Sequence, residues 1–267
     1  MIRFPIALSI VLLLSLPTLA PAGAGELTAD QIIARSTANQ TVKNSVQTMT
    51  MTIVSRKGEQ RVRKITSKIK KADGGVTKSY VRFDEPADYE GVQFLTIENP
   101  QGEDDQWLFA AGVLNRISGG KRHGSFMGSD FSFEDLSVGS NPDDGTHTLV
   151  GEDTIEVGGS SVAVYKVQTV PKPELGSAYT RFIAYIAKGD FMPRSVEFFD
   201  KKDELAKRMT LVEVKPEGDL RIPIKTTMEN LKRGTRTEIV VENYQVNVPA
   251  SDLPDEVFTP DFLESEG

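Results

Sequence analysis

Short apolar stretches separated by turn residues dominate the chain after residue 40. The stretches are rich in Val, Ile, Thr, Phe and Tyr, which favour strands, and Gly, Pro, Asn and Asp mark the turns between them. Roughly ten turns predict about eleven strands, mostly joined as hairpins. The turn signals are residues 56–59, 72–75, 99–102, 118–121, 142–145, 158–159, 188–190, 200–203, 216–219 and 232–234.

Alternation within these stretches indicates how the strands are buried. Met49, Met51 and Ile53 alternate with three threonines, as on a strand with one buried face. Residues 178–187 carry bulky groups at both parities, which predicts a strand covered on both sides. Together they predict a mainly β fold: a curved antiparallel sheet forming an unclosed (half) β-barrel, with an N-terminal helix and short helices covering its concave face.

The predicted N-terminal helix follows a capping box. Thr28 is the N-cap and Gln31 stands three residues later, and the pattern fades near Asn39 or Gln40. No linker rich in Pro, Gly or Ser interrupts the strands that follow. We therefore expect residues 25–267 to form a single domain.

The first 24 residues have the layout of a secretory signal. Arg3 precedes the apolar run Ile6–Leu16, Pro17 ends that run, and small residues follow. Cleavage is expected after Ala22 or Ala24. A spanning helix needs about 20 apolar residues, so we expect an exported, periplasmic protein without stable membrane insertion.

Composition excludes several kinds of chemistry. The chain has no cysteine, which excludes disulfides, thiol nucleophiles and cysteine-bound metals. Its net charge of −7 argues against a nucleic-acid partner. The two histidines, His123 and His147, stand in no catalytic or metal-binding motif, and acidic residues 103–105 are interpreted as a solvated loop. The sequence thus predicts no enzymatic activity, no metal and no cofactor.

Charge is distributed unevenly along the chain. Residues 56–71 hold eight basic residues and one acid, whereas residues 237–267 hold eight acids and no base. The basic hairpin suits anionic lipid head groups or an acidic partner. The alternative is an exposed strand whose lysines discourage aggregation at a sheet edge.

An aromatic segment, residues 124–143, lacks clear strand alternation. Ser129 or Asp130 is placed to cap a short helix through Leu136. Two interpretations stay open: a flexible hydrophobic cover that opens away from the sheet, or a permanent plug of the core.

Six segments in this order resemble the outer-membrane lipoprotein-sorting protein family, a LolA-like group. They are Gly128–Leu136, Gly189–Asp200, Asp203–Leu205, Ile222–Pro223, Met228–Asn230 and Leu253–Glu264. The resemblance implies an unclosed antiparallel barrel with helices across its concave opening. It also implies a periplasmic carrier or acceptor of a lipid or a lipidated protein, working beside an inner-membrane exporter of the resistance–nodulation–division type.

A carrier needs apolar side chains to shelter acyl chains, and Met and Trp suit irregular apolar ligands. The alternative function is a non-carrying accessory protein that docks on an exporter or envelope complex. An apolar pocket favours the carrier, and a filled interior favours the accessory protein. The predicted cargo-binding residues are Met49, Met51, Ile53, Trp107, Phe109, Phe126, Met127, Phe131, Phe133 and Phe182.

Overall fold

The computed structural model describes residues 26–40, 44–72, 75–100, 102–137, 141–218 and 220–266. The predicted signal segment, residues 1–24, lies outside these described residues together with its cleavage sites. Among the helices of the described part, none has the length and apolarity needed to cross a membrane.

Two α-helices lie at the two ends of the described chain. Helix α1 (Ala29–Gln40) starts with the predicted capping box: the Thr28 N–H donates to Gln31 Oε1 at 3.1 Å, and the Gln31 N–H donates to Thr28 Oγ1 at 3.2 Å. Helix α2 (Pro260–Ser265) starts where the Phe262 N–H donates to the Thr259 hydroxyl.

One antiparallel sheet of 13 strands forms the rest of the fold and confirms the mainly β prediction. The strands are β1 (Asn44–Val54), β2 (Gln60–Lys71), β3 (Thr77–Glu85), β4 (Gln93–Ile97), β5 (Asp105–Ala110), β6 (Val113–Ile117), β7 (Gly145–Val157), β8 (Ser160–Pro171), β9 (Tyr179–Ala187), β10 (Pro193–Asp200), β11 (Leu205–Glu217), β12 (Leu220–Asn230) and β13 (Thr235–Val246).

The sheet is open, with the strand order β6-β5-β4-β3-β2-β1-β13-β12-β11-β10-β9-β8-β7. The expected number of strands was too low because the turn signals miss three connections, at residues 86–92, 111–112 and 172–178, while two signals, at residues 118–121 and 142–145, fall in the single connection between β6 and β7. In the tightest of them, Ala111 and Gly112 both have positive φ, 52° and 75°. Alanine is an uncommon residue in such a turn, so the pattern does not reveal it.

The connection from β6 to β7 joins the two opposite edges of the sheet. These strands are the first and last in the sheet order, so the chain between them must run across one face. We call its described residues, 118–137 and 141–144, the crossing connection, and the face they cover the inner face. Ordinary hairpins join the strands on either side of it. The pairing of β1 with β13 unites the two halves in mid-sheet.

The main core lies between the inner face and the crossing connection. Phe126, Phe131 and Phe133 are 3%, 4% and 7% exposed and pack in one cluster with side chains from distant strands. Because strands as far apart in the sheet as β4 and β10 contribute to this cluster, the sheet is strongly curved. The cluster's strand residues are Met51, Ile53, Ile65, Phe83, Phe94, Ile117, Tyr179, Val196, Phe198 and Met228.

Buried hydrogen bonds fasten the crossing connection to the sheet. The Asp130 carboxylate accepts a hydrogen bond from the Thr237 hydroxyl of β13 at 2.9 Å. The Asp135 carboxylate accepts from the Tyr179 hydroxyl at 2.7 Å and from Lys207 Nζ at 2.6 Å. Buried carboxylates need such partners, so these contacts hold the segment in place.

The predicted helix from Ser129 or Asp130 through Leu136 is wrong. Asp130 cannot serve as its N-cap because its carboxylate is taken by β13. Ser132 instead caps a single turn, in which the Asp135 N–H donates to the Ser132 hydroxyl at 3.2 Å. A short 3-10 turn, Phe126–Gly128, precedes it.

The two α-helices cover opposite faces of the sheet, whereas the sequence places helices on one face. Ile32 of α1 packs against Val167 and Ile186 on the inner face. Helix α2 packs on the outer face of β3–β5, where Tyr80 and Leu95 point away from the main core. Lys70 Nζ fastens this C-terminal region by donating to the Leu253 carbonyl at 2.8 Å and pairing with Asp255 at 3.1 Å.

We predict that Phe131→Ser lowers the free energy of unfolding by at least about 3 kcal/mol, because it truncates a buried aromatic and adds a polar group. Urea denaturation measures the loss. Leu136→Ser is the matched control, since Leu136 lies in the same segment but is 40% exposed. Equal stabilities of the two variants would show that the segment is not a fixed part of the core.

Candidate functional site

A cavity of about 150 Å³ lies on the inner face. Its boundaries are α1, strands β7 to β11, the crossing connection and the loop that precedes β5. The cavity occupies the part of the inner face that the aromatic cluster of the crossing connection leaves open.

The floor of the cavity is apolar. Phe182, Ala184 and Ile186 alternate along β9 and therefore point to the same face. Val196 of β10 and Met209 of β11 extend this surface. Such a surface favours a hydrocarbon ligand because burying it removes apolar area from water.

The opposite wall is polar and predominantly acidic. Glu103 and Asp104 come from the loop before β5, Arg122 and Glu134 from the crossing connection, and Asp144 from its last turn before β7. The wall thus sets four carboxylates against one guanidinium group. The cavity has an amphipathic lining, with hydrocarbon on one side and charge on the other.

Arg122 is buried in this wall, with its side chain 9% exposed. Its Nη1 lies 3.3 Å from Glu103 Oε1, and its buried Nε has no hydrogen-bond partner within the described residues. Buried donors are normally paired. Arg122 therefore has the capacity to bind one more acceptor atom.

Glu134 has a structural role in the wall. Its carboxylate accepts hydrogen bonds from the Ser177 hydroxyl and from the Ala178 N–H at 3.0 Å, next to the start of β9. His123 Nε2 lies 3.7 Å from the same carboxylate. Glu134 thus fixes the distance between the crossing connection and the cavity floor.

Two carboxyl groups of the wall, those of Asp104 and Asp144, have raised pKa values. Burial, reinforced by the negative charge of Asp104, raises the pKa of Asp144 from 3.8 to about 6. Burial also raises the pKa of Asp104, although hydrogen bonds from Ser137 and from the Asn99 backbone oppose the rise. Shifts of this kind are common in clefts that bind ligands.

Both histidines are held by hydrogen bonds. His147 Nε2 donates to the Pro142 carbonyl at 2.7 Å, and its Nδ1 lies within hydrogen-bond distance of the Thr169 hydroxyl, at 2.8 Å. His123 Nε2 lies 3.0 Å from the Gly176 carbonyl. His147 lines the cavity and supports its wall.

This arrangement suits binding of an amphiphile. Apolar ligand atoms would contact the β9–β11 floor, and a polar group would face the carboxylates and Arg122. In the described part of the chain, no cluster of three His, Cys, Asp or Glu side chains has a geometry that could hold a metal ion.

Residues 75–265 match a family model whose description reads "-like: Uncharacterized protein". A DUF1329 family protein from Desulfovibrio piger is 26% identical over 88% of this chain and 97% of its own, with a TM-score of 0.81. The chain belongs to the family that this model describes, the DUF1329 family.

Two further structures share this fold. A candidate outer-membrane lipoprotein-sorting protein domain from Vibrio parahaemolyticus is 26% identical over 88% of this chain and 98% of its own, with a TM-score of 0.80. A LolA superfamily protein from Nitrosomonas europaea shares the fold, at 17% identity over 88% of this chain and 99% of its own, with a TM-score of 0.67. No curated protein matches the sequence.

The ten residues predicted to bind cargo lie mostly in the core of this LolA-like fold. Five are buried in the main cluster and three pack against it, while two belong to the region under α2. Phe182 is the member of the set that also lines the cavity. The buried five are Met51, Ile53, Phe126, Phe131 and Phe133; the packed three are Met49, Met127 and Phe182; the last two are Trp107 and Phe109.

Sequence reasoning missed most of the cavity lining. Phe182, Ala184 and Ile186 stand at alternate positions of β9, so the period of a strand alone is enough to place them on one face. The acidic stretch 103–105, interpreted as solvated, contributes two partly buried carboxylates to the wall. Asp144 had no signal of its own, because its environment depends on how the crossing connection returns to β7.

We predict that Asp144→Asn stabilises the protein at neutral pH. Folding raises the pKa of Asp144 from 3.8 to about 6. Ionisation of this carboxyl group therefore lowers the free energy of unfolding, increasingly so as the pH rises from 3.8 to about 6. The gain in thermal stability should be absent below pH 3.8, grow up to about pH 6 and then stay constant.

Asp143→Asn is the matched control, because Asp143 is the exposed neighbour on the same turn. Melting temperatures of wild type and both variants across this pH range provide the test. If the difference in melting temperature between wild type and Asp144→Asn did not depend on pH, the raised pKa of Asp144 in the folded state would be contradicted.

Proposed function

We propose that this LolA-like protein is a periplasmic carrier or acceptor of hydrophobic cargo, a lipid or an acylated protein. The observation that carries the proposal is the cavity, whose apolar floor faces a charged wall. The carrier shelters the acyl portion of the cargo and changes no covalent bond. An accessory protein without cargo has no need of such a cavity.

The need for shelter follows from the chemistry of acyl chains. Exposing a hydrocarbon chain to water costs about 0.8 kcal/mol per CH₂. Transfer between two membranes is therefore slow unless a protein covers the chain. The proposed cleavage after Ala22 or Ala24 would release the protein into the compartment that lies between those membranes.

The candidate lipoprotein-sorting domain from Vibrio parahaemolyticus supports this assignment, because it shares the fold over nearly its whole length at 26% identity. By the same family analogy, we propose an inner-membrane exporter of the resistance–nodulation–division type as the partner that loads or receives cargo. The cargo-binding role of the aromatic cluster, Phe126–Phe133, stays a prediction.

The cavity is smaller than a complete acyl chain. A cavity of about 150 Å³ holds a benzene-sized group. Full loading therefore requires one wall to move outward. We assign this movement to α1, which packs on the sheet mainly through Ala29 and Ile32, whereas several buried hydrogen bonds hold the crossing connection.

We predict that Ala184→Phe weakens binding of a fluorescent fatty acid by at least about ten-fold, because the added ring occupies the cavity floor. Fluorescence titration measures the affinity. Ala163→Phe is the control, since Ala163 is exposed on the neighbouring strand β8.

Thermal unfolding of both variants separates lost binding from lost folding. Native mass spectrometry of protein isolated from its own periplasm then identifies the cargo that it holds.

Unchanged affinity in a folded Ala184→Phe variant would overturn the cavity as the cargo site. Cytoplasmic, full-length protein upon fractionation would overturn the proposed export.

A further inference from the structure

Ion pairs account for only part of the basic run between residues 56 and 71. Lys64 pairs with Glu85 at 3.1 Å, and Lys70 pairs with Asp255 at 3.1 Å. Arg56, Lys57 and Arg61 are exposed and form no ion pair with any described residue. These three cations stand at the turn that joins β1 to β2 and at the start of β2.

A second basic turn lies beside the first. Because β1 pairs with β13, the β12–β13 turn adjoins the β1–β2 turn, with Val54 opposite Arg236. Arg56 lies along Gly234: a Cβ placed on that glycine would be 3.6 Å from Arg56 Cγ. Arg233 of this turn is also exposed and forms no ion pair within the described chain.

We call this surface the basic end: it comprises Arg56, Lys57, Arg61 and Arg233, together with two exposed apolar residues of the same segments, Val62 next to Arg61 and Leu231 two residues before Arg233. Val62 is 49% exposed and Leu231 is 42% exposed. Glu59 is the acid within the first turn, and Lys232 and Arg236 are already paired with carboxylates. The surface therefore combines unpaired positive charge with accessible hydrocarbon.

Protection of a sheet edge does not explain this surface. Strands β2, β1, β13 and β12 are neighbours in the middle of the sheet, and β6 and β7 are its edges. Charges on a central hairpin have no edge to protect. The first turn is also well defined, since the Ser55 hydroxyl accepts hydrogen bonds from the N–H groups of Lys57 and Glu59 at 3.3 and 3.1 Å.

We infer that the basic end docks the protein on the surface of an anionic phospholipid bilayer. Cations attract the head groups, and the two apolar side chains reach the interfacial region. The protein as a whole has a net charge of −7, so the attraction orients it with this end toward the bilayer. The docking does not depend on which cargo the cavity holds.

Vesicle co-sedimentation of the full chain tests the inference. The vesicles contain phosphatidylcholine with or without phosphatidylglycerol. We predict binding to the phosphatidylglycerol vesicles at low salt and its loss at high salt. The triple variant Arg56→Gln, Lys57→Gln, Arg233→Gln should bind about 100-fold more weakly, since each surface cation contributes about five-fold.

The matched control is the triple variant Lys71→Gln, Lys121→Gln, Lys215→Gln. It removes the same charge from exposed sites that lie outside the two turns, so it should bind like wild type. Leu231→Ser should retain salt-sensitive binding but lose part of the affinity that persists at high salt. Fatty-acid binding by all three variants should be unchanged, which separates docking from cargo binding.

Three results would overturn the inference. Equal losses in the two triple variants would indicate a general charge effect. Equal binding to both kinds of vesicle would exclude head-group charge as the cause. The third result is that the protein does not bind vesicles but self-associates, and that the triple variant Arg56→Gln, Lys57→Gln, Arg233→Gln abolishes the self-association. The basic end would then be an interface with a second copy of the chain.

Discussion

The fold depends on one topological constraint: the chain must pass from β6 at one sheet edge to β7 at the other. Residues 129–135 of this connection are buried, so their polar groups need partners inside the protein. The sheet supplies those partners through Thr237, Tyr179 and Lys207. The same crossing fills one part of the interior with phenylalanine rings and borders the cavity in another.

Local sequence patterns predict much of this architecture because turns and alternation are local properties. The capping box at Thr28, most hairpins and the buried parity of Met51 and Ile53 follow from neighbouring residues alone. The order of the strands in the sheet, in contrast, is not a local property of the sequence. Nothing near Ser118 or Gly145 reveals that β6 and β7 stand at opposite edges, and the burial of the segment between them follows from that order.

The candidate site was harder to predict than the core, because its lining comes from many separate segments. The aromatic residues of segment 126–133 correctly indicate a buried region, but their rings pack against one another and against the sheet and do not line the cavity. The open volume lies where smaller side chains such as Ala184 meet an acidic wall. Small side chains around a cavity form no recognisable sequence pattern. Asp104 and Asp144 cannot be distinguished from exposed acidic residues by sequence, because their burial depends on the folded structure.

The pairing of β1 with β13 has a consequence for the order of folding. A chain made from its N-terminus exposes one edge of β1 until β13 has emerged, so paired residues such as Ser45 and Val246 meet only after all the strands between them have been made. Contacts of such wide sequence separation are slow to form. Strand β1 thus keeps one unpaired edge until β13 has been made, and chaperones can bind that edge during this time.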